Sequence, residues 1–355
     1  MKTLVILTGG TFSSINLGKG LSTAETDIAI LKTKIEEELP YHIDIEMVQP
    51  FSKLSENIDD IDWVNLINCL DNCVSPDIDS IIVVHGTDTM AYTSSVLAYF
   101  EKFSKKLPII TTGANYSIHE KGTDAIVNLV QSIIVSTKFA AKNIYGSFIV
   151  FNGSNDFGNK ALIHIGTKVK KDIWEDTCYR SFYLGSRQIG YLENKDNLVF
   201  DNELYTSLFP KDIKYDIKTK FNVSDLSTYK IYPGFDPNII KRDVNDGKKY
   251  FLLEIYNSGT GPAKDTYLSL TNNIKYAVSK GCLVFAISQH EGHLGATMNL
   301  YESSTLFVDA GVIPLKNMIW EASIPKLMLA SATFNKNDEI VKYMLTNISC
   351  EINSN

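Results

Sequence analysis

The sequence predicts an α/β fold with a larger N-terminal domain, whose mostly parallel sheet is flanked by helices, and a smaller C-terminal α/β domain. Its 355 residues exceed what one hydrophobic core usually supports. Short apolar runs alternate with helical patterns up to residue 152 and again after residue 250, as in parallel sheets. We therefore assign residues 1–210 to the N-terminal domain, 211–229 to a linker and 230–355 to the C-terminal domain.

The predicted strands are short apolar runs, and the predicted helices carry apolar residues at helical spacing. The continuous β-branched run Ile81–Val84 indicates a strand that is covered on both faces. The other N-terminal strands are Leu4–Leu7, Ile43–Val48, Pro108–Thr111 and Ser147–Phe151. The N-terminal helices are Ala24–Leu39, with Ser22 or Thr23 as its cap, Ile61–Asn72, Thr89–Phe103 and Ala125–Thr137. The C-terminal domain is predicted to hold strands Tyr250–Ile255 and Leu283–Ile287 and helices Lys264–Ser279, Trp320–Ser331 and Asp338–Ser349.

Composition and charge exclude several classes of protein. A net charge of −7 without blocks of like charge argues against a nucleic-acid partner. Apolar runs are too short for a membrane-spanning helix, and the first one is too short for a signal peptide. The 5 cysteines are scattered, which indicates free thiols in a reducing compartment. We expect a cytoplasmic protein with no membrane partner.

Three polar clusters follow predicted parallel strands. They are Thr8-Gly9-Gly10-Thr11, His85-Gly86-Thr87-Asp88-Thr89 and Thr111-Thr112-Gly113-Ala114. Ligands of open parallel sheets bind beyond the carboxyl ends of the strands, so these clusters predict one site at that edge.

The residues in these clusters suit nucleophilic chemistry, although simpler interpretations exist. Glycines let a backbone approach a ligand and expose N–H groups. Thr11 can act as a nucleophile if another group takes its proton, or it can cap a tight turn. Asp88 can hold a substrate ammonium group or cap the next helix, and Thr87 can polarise a water molecule or the nucleophile.

A metal site is not predicted. His290-Glu291-His293 lacks the spacing of a zinc-binding helix and has no third ligand nearby in sequence. We also expect no cofactor.

The paired clusters at residues 8–11 and 85–90 resemble the signatures of bacterial-type asparaginases and glutaminases. Further similarity extends over most of the chain, and the C-terminal part resembles the cytoplasmic type I branch. The matching segments include Pro108–Ala114, Gly122–Ala125, Tyr232–Gly234, Ser288-Gln289 and Ala310–Ile313. An archaeal component of a tRNA amidotransferase shares this domain but carries additional domains that this chain is too short to hold.

The resemblance implies roles for particular residues. Thr11 would attack the side-chain amide carbon and form an acyl-enzyme, while backbone N–H groups near Thr11 and Thr87 would stabilise the oxyanion. Thr87 would be the second catalytic threonine, and Asp88 would bind the substrate α-amino group. Gly10, Gly86, Ser55 and Glu56 would bind the substrate, although Ser55-Glu56 could equally be a polar loop that enters a helix.

The chain departs from the family pattern at three places. The family's loop tyrosine is absent, and Leu21 stands near its position. Alignment from Gly158 puts Ile163 where the family has a lysine coupled to the second threonine. We predict that Lys160 reaches the site through a bulge, with Lys168 or a missing relay as the alternatives. Thr260 occupies the place of an asparagine that many relatives supply from a neighbouring protomer.

The predicted function is hydrolysis of the side-chain amide of L-asparagine, and of L-glutamine as a further substrate, to the acid and ammonia. The alternatives are an enzyme acting on a different amide, or an impaired homologue that binds aspartate-like ligands or a partner. We expect a homodimer or homotetramer.

Overall fold

The computed structural model describes the chain except residues 17, 19, 24–25, 153–159, 173–177, 183–187, 211, 213, 265, 292–297, 299 and 353–355. It divides into two units, the first formed by Met1–Thr219 and Ile348–Cys350 and the second by Lys220–Asn347 and the residues after Cys350. The segment 220–229, predicted as linker, therefore belongs to the second unit and includes the start of its first strand. Ile348–Cys350 joins the first unit, where Cys350 lies in the hydrophobic core.

The first unit contains twelve strands among its described residues. They are β1 (Lys2–Leu7), β2 (Ser14–Asn16), β3 (Leu21–Thr23), β4 (Asp44–Val48), β5 (Ser80–Val84), β6 (Pro108–Thr112), β7 (Gly146–Asn152), β8 (Ala161–Ile165), β9 (Val169–Lys171), β10 (Tyr179–Ser181), β11 (Gly190–Leu192) and β12 (Leu198–Phe200). The helices are α1 (Ile28–Glu38), α2 (Asp60–Cys73), α3 (Met90–Tyr99), α4 (Glu101–Ser104), α5 (Ala125–Ala141) and α6 (Asn202–Leu208).

The main sheet of the first unit is mostly parallel, as predicted. Its order, over the described strands, is β12-β11-β8-β7-β6-β5-β1-β4. Strands β4, β1, β5, β6 and β7 run parallel, whereas β8, β11 and β12 form an antiparallel edge. Every residue of β5 is buried, as expected for a strand covered on both faces. The carboxyl ends of β1, β5 and β6 therefore lie side by side and bring their polar loops together.

The structure differs from the predictions at several helices, and the helix predicted from Lys264 begins at Thr271. Helix α1 begins at Ile28, and the Asp27 carboxylate caps it by accepting the Ile30 N–H, whereas the predicted caps Ser22 and Thr23 lie in β3. The helix predicted over Thr89–Phe103 is interrupted at Phe100, whose backbone is not helical.

The second unit contains a four-stranded parallel sheet within its described residues. The strands β13 (Leu226–Lys230), β14 (Tyr250–Ile255), β15 (Leu283–Ser288) and β16 (Val312–Pro314) pair in sequence order. The helices are α7 (Asn238–Asn245), α8 (Thr271–Ser279), α9 (Glu302–Asp309), α10 (Trp320–Thr333) and α11 (Asn337–Leu345). A fully buried ion pair joins Lys326 of α10 to Glu351 within this unit.

No helix among the described residues is long and apolar enough to cross a membrane. Two positions used in the sequence predictions, Gly158 and His293, lie outside the described residues. Within the part of the chain that the structure describes, no cluster of three or more histidine, cysteine, aspartate or glutamate side chains could hold a metal ion.

Candidate active site

Glycines bring the loops after β1 and β5 into direct contact. Gly10 has a φ of 75°, which L-amino acids with a side chain rarely adopt. A Cβ atom added to Gly10 would lie 2.4 Å from the Gly86 Cα atom, so neither loop has room for a side chain there. Because Thr11 and Thr87 directly follow these two glycines, the contact places the two predicted catalytic threonines in neighbouring loops of one site.

The turn at Ser55–Asn57 is joined to the loop after β5. Ser55 is buried, and its Oγ atom accepts the Asp88 N–H at 3.2 Å. Its carbonyl oxygen accepts the Thr89 hydroxyl at 2.8 Å. Glu56 is exposed beside it. The structure therefore brings Ser55 together with Gly86, Thr87 and Asp88, as expected of residues that share a binding site.

Lys171 contacts Thr87, whereas the prediction named Lys160. The Lys171 Nζ atom lies 2.9 Å from Thr87 Oγ1 and 2.5 Å from Asp88 Oδ1. Lys160 instead pairs with Glu193 at 3.1 Å and lies over the Tyr191 ring.

Strand geometry explains this correction. Strand β8 pairs with β7 in continuous register from Asn152↔Ala161 to Phe148↔Ile165, without the bulge that Lys160 would need. Ile163 is buried in the core, and Lys168 is fully buried in the turn between β8 and β9, where its N–H donates to the Ile165 carbonyl. The lysine that contacts Thr87 is the last residue of β9 and pairs with Tyr179 of β10.

The β9–β10 hairpin is fastened at both ends. Lys171 lies opposite Tyr179 in the antiparallel pair, and the Tyr179 hydroxyl donates to the Thr87 carbonyl at 2.7 Å. At the other end Ser181 Oγ lies 2.8 Å from Nδ1 of His164 on β8. Burial raises the pKa of the Tyr179 hydroxyl well above its usual value, so it remains a donor. Sequence reasoning missed Lys171 and Tyr179, because the three residues of β9, Val169-Lys170-Lys171, show no alternation of apolar and polar side chains.

A buried histidine, His85, joins the loop after β5 to helix α3. His85 Nδ1 lies 2.8 Å from the Gly86 carbonyl oxygen, and Nε2 lies 2.9 Å from Thr93 Oγ1, which accepts the Trp63 Nε1–H. Burial lowers the pKa of His85 to about 4. The imidazole is therefore neutral near pH 7 and acts as a donor to Gly86 and an acceptor for Thr93, which holds the loop rather than exchanging protons in catalysis.

Two backbone N–H groups where the loops meet, those of Thr11 and Thr87, are available to a ligand within the part of the chain that the structure describes. Among the described residues, neither the Thr11 N–H nor the Thr87 N–H donates to a protein group. Such groups are suited to bind an oxyanion, because they require no rearrangement when negative charge develops. Thr11 itself is partly exposed.

Leu21 and Thr260, the two other departures from the family pattern, are both described by the structure. Leu21 lies in β3, where 41% of its surface is exposed, and Thr260 lies in the second unit with its hydroxyl bonded to the Asn257 carbonyl. Asp124, in a segment that matches the family, accepts the N–H groups of Asn115 and Tyr116 after β6.

Comparison with known families decides the assignment. The family profile "Asparaginase, N-terminal" matches residues 2–190, and the profile "Glutaminase/Asparaginase C-terminal domain" matches residues 226–344. The chain belongs to the asparaginase family. It is thus an asparaginase-fold amidohydrolase in its ancestry and architecture.

Curated relatives of this asparaginase-family chain carry a different name from the predicted one. The chain is 30% identical over 360 residues to a component of the glutamyl-tRNA(Gln) amidotransferase of Sulfolobus acidocaldarius, covering 99% of this chain and 75% of the relative. The corresponding component from Sulfurisphaera tokodaii is also 30% identical, over 98% of this chain and 75% of the relative. The comparisons therefore support the family but not the assignment to its type I branch.

Solved structures agree with the fold. The thermostable L-asparaginase from Thermococcus kodakarensis superimposes with a TM-score of 0.82 at 25% identity, with 100% of both chains covered. L-asparaginase I from Vibrio cholerae gives a TM-score of 0.77 at 20% identity, over 99% of this chain and 98% of the other.

Proposed function

We propose that this chain hydrolyses the side-chain amide of an amino acid through an acyl-enzyme on Thr11. The observation that carries the proposal is the contact of Lys171 with both Thr87 and Asp88. Alignment from Gly158 places Ile163, and not a lysine, where the family has the lysine that acts with the second threonine. Lys171 supplies the group that an impaired homologue would lack, and this favours a working enzyme.

The proposed first step is attack of Thr11 Oγ1 on the amide carbon. The C–N bond breaks, ammonia leaves with the proton from the Thr11 hydroxyl, and an ester remains on Thr11. The free N–H groups of Thr11 and Thr87 stabilise the oxyanion. In the second step, water attacks the ester, its proton returns to Thr11 Oγ1, and the carboxylic acid is released.

Thr87 and Lys171 are assigned to the proton movements of these steps. In the structure Lys171 Nζ–H donates to Thr87 Oγ1, which leaves the Thr87 hydroxyl hydrogen available to a water molecule or to the nucleophile. A lysine that has given up one proton can instead accept the proton of Thr87. Asp88, beside Lys171, is assigned to the substrate ammonium group.

The amide need not be that of asparagine. The curated relatives are named as components of a glutamyl-tRNA(Gln) amidotransferase, which supports a different amide substrate or work with a partner protein. We therefore propose glutamine as the first alternative to asparagine. Ammonia release from asparagine, glutamine and other small amides, measured with the full chain, distinguishes these substrates.

The decisive experiment is Thr11→Val, which removes the nucleophile and keeps the shape of the side chain. We expect turnover to be abolished while circular dichroism and thermal unfolding stay close to those of the natural chain. Mass spectrometry with a slowly hydrolysed substrate should find the acyl group on the peptide that contains Thr11. Full turnover in the variant, or an adduct on a different residue, contradicts the proposal.

We also propose that the chain works as a homodimer or homotetramer, since the site lies at an open sheet edge. Light scattering at assay concentration tests this, and a monomer with full activity contradicts it.

A further inference from the structure

We infer that Tyr179 is a positioning residue of the proposed reaction: its hydroxyl holds Thr87 and Asp88 in register with Lys171. The inference rests on the proposed function, in which Thr87 and Lys171 move protons. It concerns a side chain that does not itself contact the reacting atoms.

The peptide group between Thr87 and Asp88 is held at both ends. Its carbonyl oxygen accepts the Tyr179 hydroxyl at 2.7 Å, and its N–H donates to Ser55 Oγ at 3.2 Å. Rotation of this peptide would turn the Thr87 and Asp88 side chains away from their present directions. Both of those side chains are bound by one ammonium group, that of Lys171. Fixing the peptide therefore fixes the two atoms that Lys171 must reach.

Tyr179 also determines where Lys171 lies. The two residues are direct partners across the β9–β10 pair, so the hydrogen bond to Thr87 and the lysine contact arise from adjacent backbone positions. The Tyr179 ring is buried and packs edge-on against Phe151 of β7, with 5.2 Å between ring centroids. A ring seated in this way leaves the hydroxyl little freedom, so the distance between the hairpin and the loop after β5 is set by a rigid side chain.

The hydroxyl is the part of Tyr179 that performs this role. Tyr179→Phe removes it and keeps the ring and its contact with Phe151. A control exists in the same unit, because the Tyr205 hydroxyl also donates to a backbone carbonyl, that of Tyr145, at 3.1 Å, and in addition accepts the Tyr145 N–H at 2.9 Å. Tyr205→Phe removes the same kind of bond, and one bond more, without touching a residue of the candidate site.

Kinetics of both variants should separate positioning from simple stabilisation. We expect Tyr179→Phe to lower kcat about tenfold, as for loss of one hydrogen bond that acts in the transition state, and to leave KM nearly unchanged. Tyr205→Phe should leave kcat and KM unchanged. Tyr179→Phe should lower Tm by about 2–4 °C, since it leaves a carbonyl without its tyrosine donor. Tyr205→Phe should lower Tm at least as much, since it leaves the Tyr145 carbonyl without its donor and the Tyr145 N–H without its acceptor.

A double-mutant cycle tests whether Tyr179 acts through the lysine. In a Lys171→Met background, Tyr179→Phe should cause no additional loss of kcat, because there is no ammonium group left to place. Losses that multiply, or a kcat in Tyr179→Phe equal to that of Tyr205→Phe, overturn the inference.

A readout without catalysis keeps the inference separate from the proposed function. Acetic anhydride labelling followed by peptide mass spectrometry should modify Lys171 faster in Tyr179→Phe than in the natural chain or in Tyr205→Phe, with Lys160 as an internal reference. Equal labelling overturns the inference even if amide hydrolysis is established. Full turnover in Lys171→Met instead overturns the proposed function.

Discussion

The loops after β1 and β5 and the β9–β10 hairpin supply neighbouring atoms to the same candidate site, yet the chain places them by different means. The loops follow adjacent parallel strands and meet at two glycines. The hairpin reaches the site through one cross-strand pair, Lys171↔Tyr179, and through a hydrogen bond to Thr87.

This difference shows which parts of a site can be predicted from one sequence. In a parallel sheet, the strand order alone brings the carboxyl-end loops together, so contiguous motifs are enough. In a short hairpin, the register decides which face a lysine presents, and a shift of one residue reverses it. The sequence analysis weighed Lys160 and Lys168, whereas the strand register brings Lys171 to Thr87.

The largest effect that tests this comparison is the loss of the hairpin lysine. Lys171→Met should lower kcat about 10²–10⁴-fold, the usual contribution of a positioned acid–base group. Lys160→Met is the matched control, because Lys160 also forms an ion pair but with Glu193. Steady-state ammonia release measures both. A silent Lys171→Met together with a damaging Lys160→Met would return the catalytic role to Lys160.

The next effect tests the glycine contact between the loops. Gly10→Ala should lower the free energy of unfolding by about 2–5 kcal/mol, since the new Cβ meets the Gly86 backbone and φ is positive. Gly122→Ala is the control, because Gly122 has a φ of 80° but nothing within 4 Å of an added Cβ. It should cost only about 1 kcal/mol, the backbone term alone. Equal losses in urea titrations would mean that the contact between the loops contributes nothing.

Asp88 lies in the loop after β5 and is bound by Lys171 of the β9–β10 hairpin. Its substitution should affect the affinity for a ligand. Asp88→Asn removes the negative charge that should hold a substrate ammonium group. We expect Kd for aspartate to rise about 10–100-fold, as for loss of a hydrogen bond between charged groups. Calorimetric titration measures this, and thermal unfolding controls for stability. Equal affinity in the two proteins would remove Asp88 from the ligand site.

Most of the sheet and the strand-end part of the site were predictable, for a physical reason that particular residues illustrate. Val84 ends a continuous apolar run that forms a buried strand. The polar cluster that follows it must therefore lie at the carboxyl edge of the sheet. In contrast, the role of Lys171 depends on a tertiary contact that local spacing does not encode. The start of α1 at Ile28 is set by a local cap, Asp27, whose carboxylate competes in the sequence with the hydroxyls of Ser22 and Thr23. The family resemblance gave roles to residues in shared motifs, but it failed for the lysine, which had to be counted from Gly158 without a motif beside it.

The smallest expected effect concerns the histidine that fastens the far end of the hairpin. Burial lowers the pKa of His164 to about 4, so the folded chain binds its proton less readily than the unfolded chain, whose histidines titrate near 6.5. The unfolded state therefore gains protons first as pH falls, and stability is lost from about pH 6.5 downward. Between pH 6.5 and 5.5 this should cost about 1 kcal/mol for His164, and His85 should contribute a similar loss.

His164→Gln removes this titration and retains a polar side chain opposite Ser181. The variant should lose about 1 kcal/mol less than the natural chain between pH 6.5 and 5.5, whatever its stability at neutral pH. Comparing each protein with itself across pH cancels the constant cost of the substitution. His42→Gln, at an exposed histidine, controls for the loss of an imidazole that contacts water in the folded chain. Parallel pH curves for the natural chain and His164→Gln would show that His164 takes up its proton without unfolding, and so that the hairpin anchor is looser than the contact with Ser181 indicates.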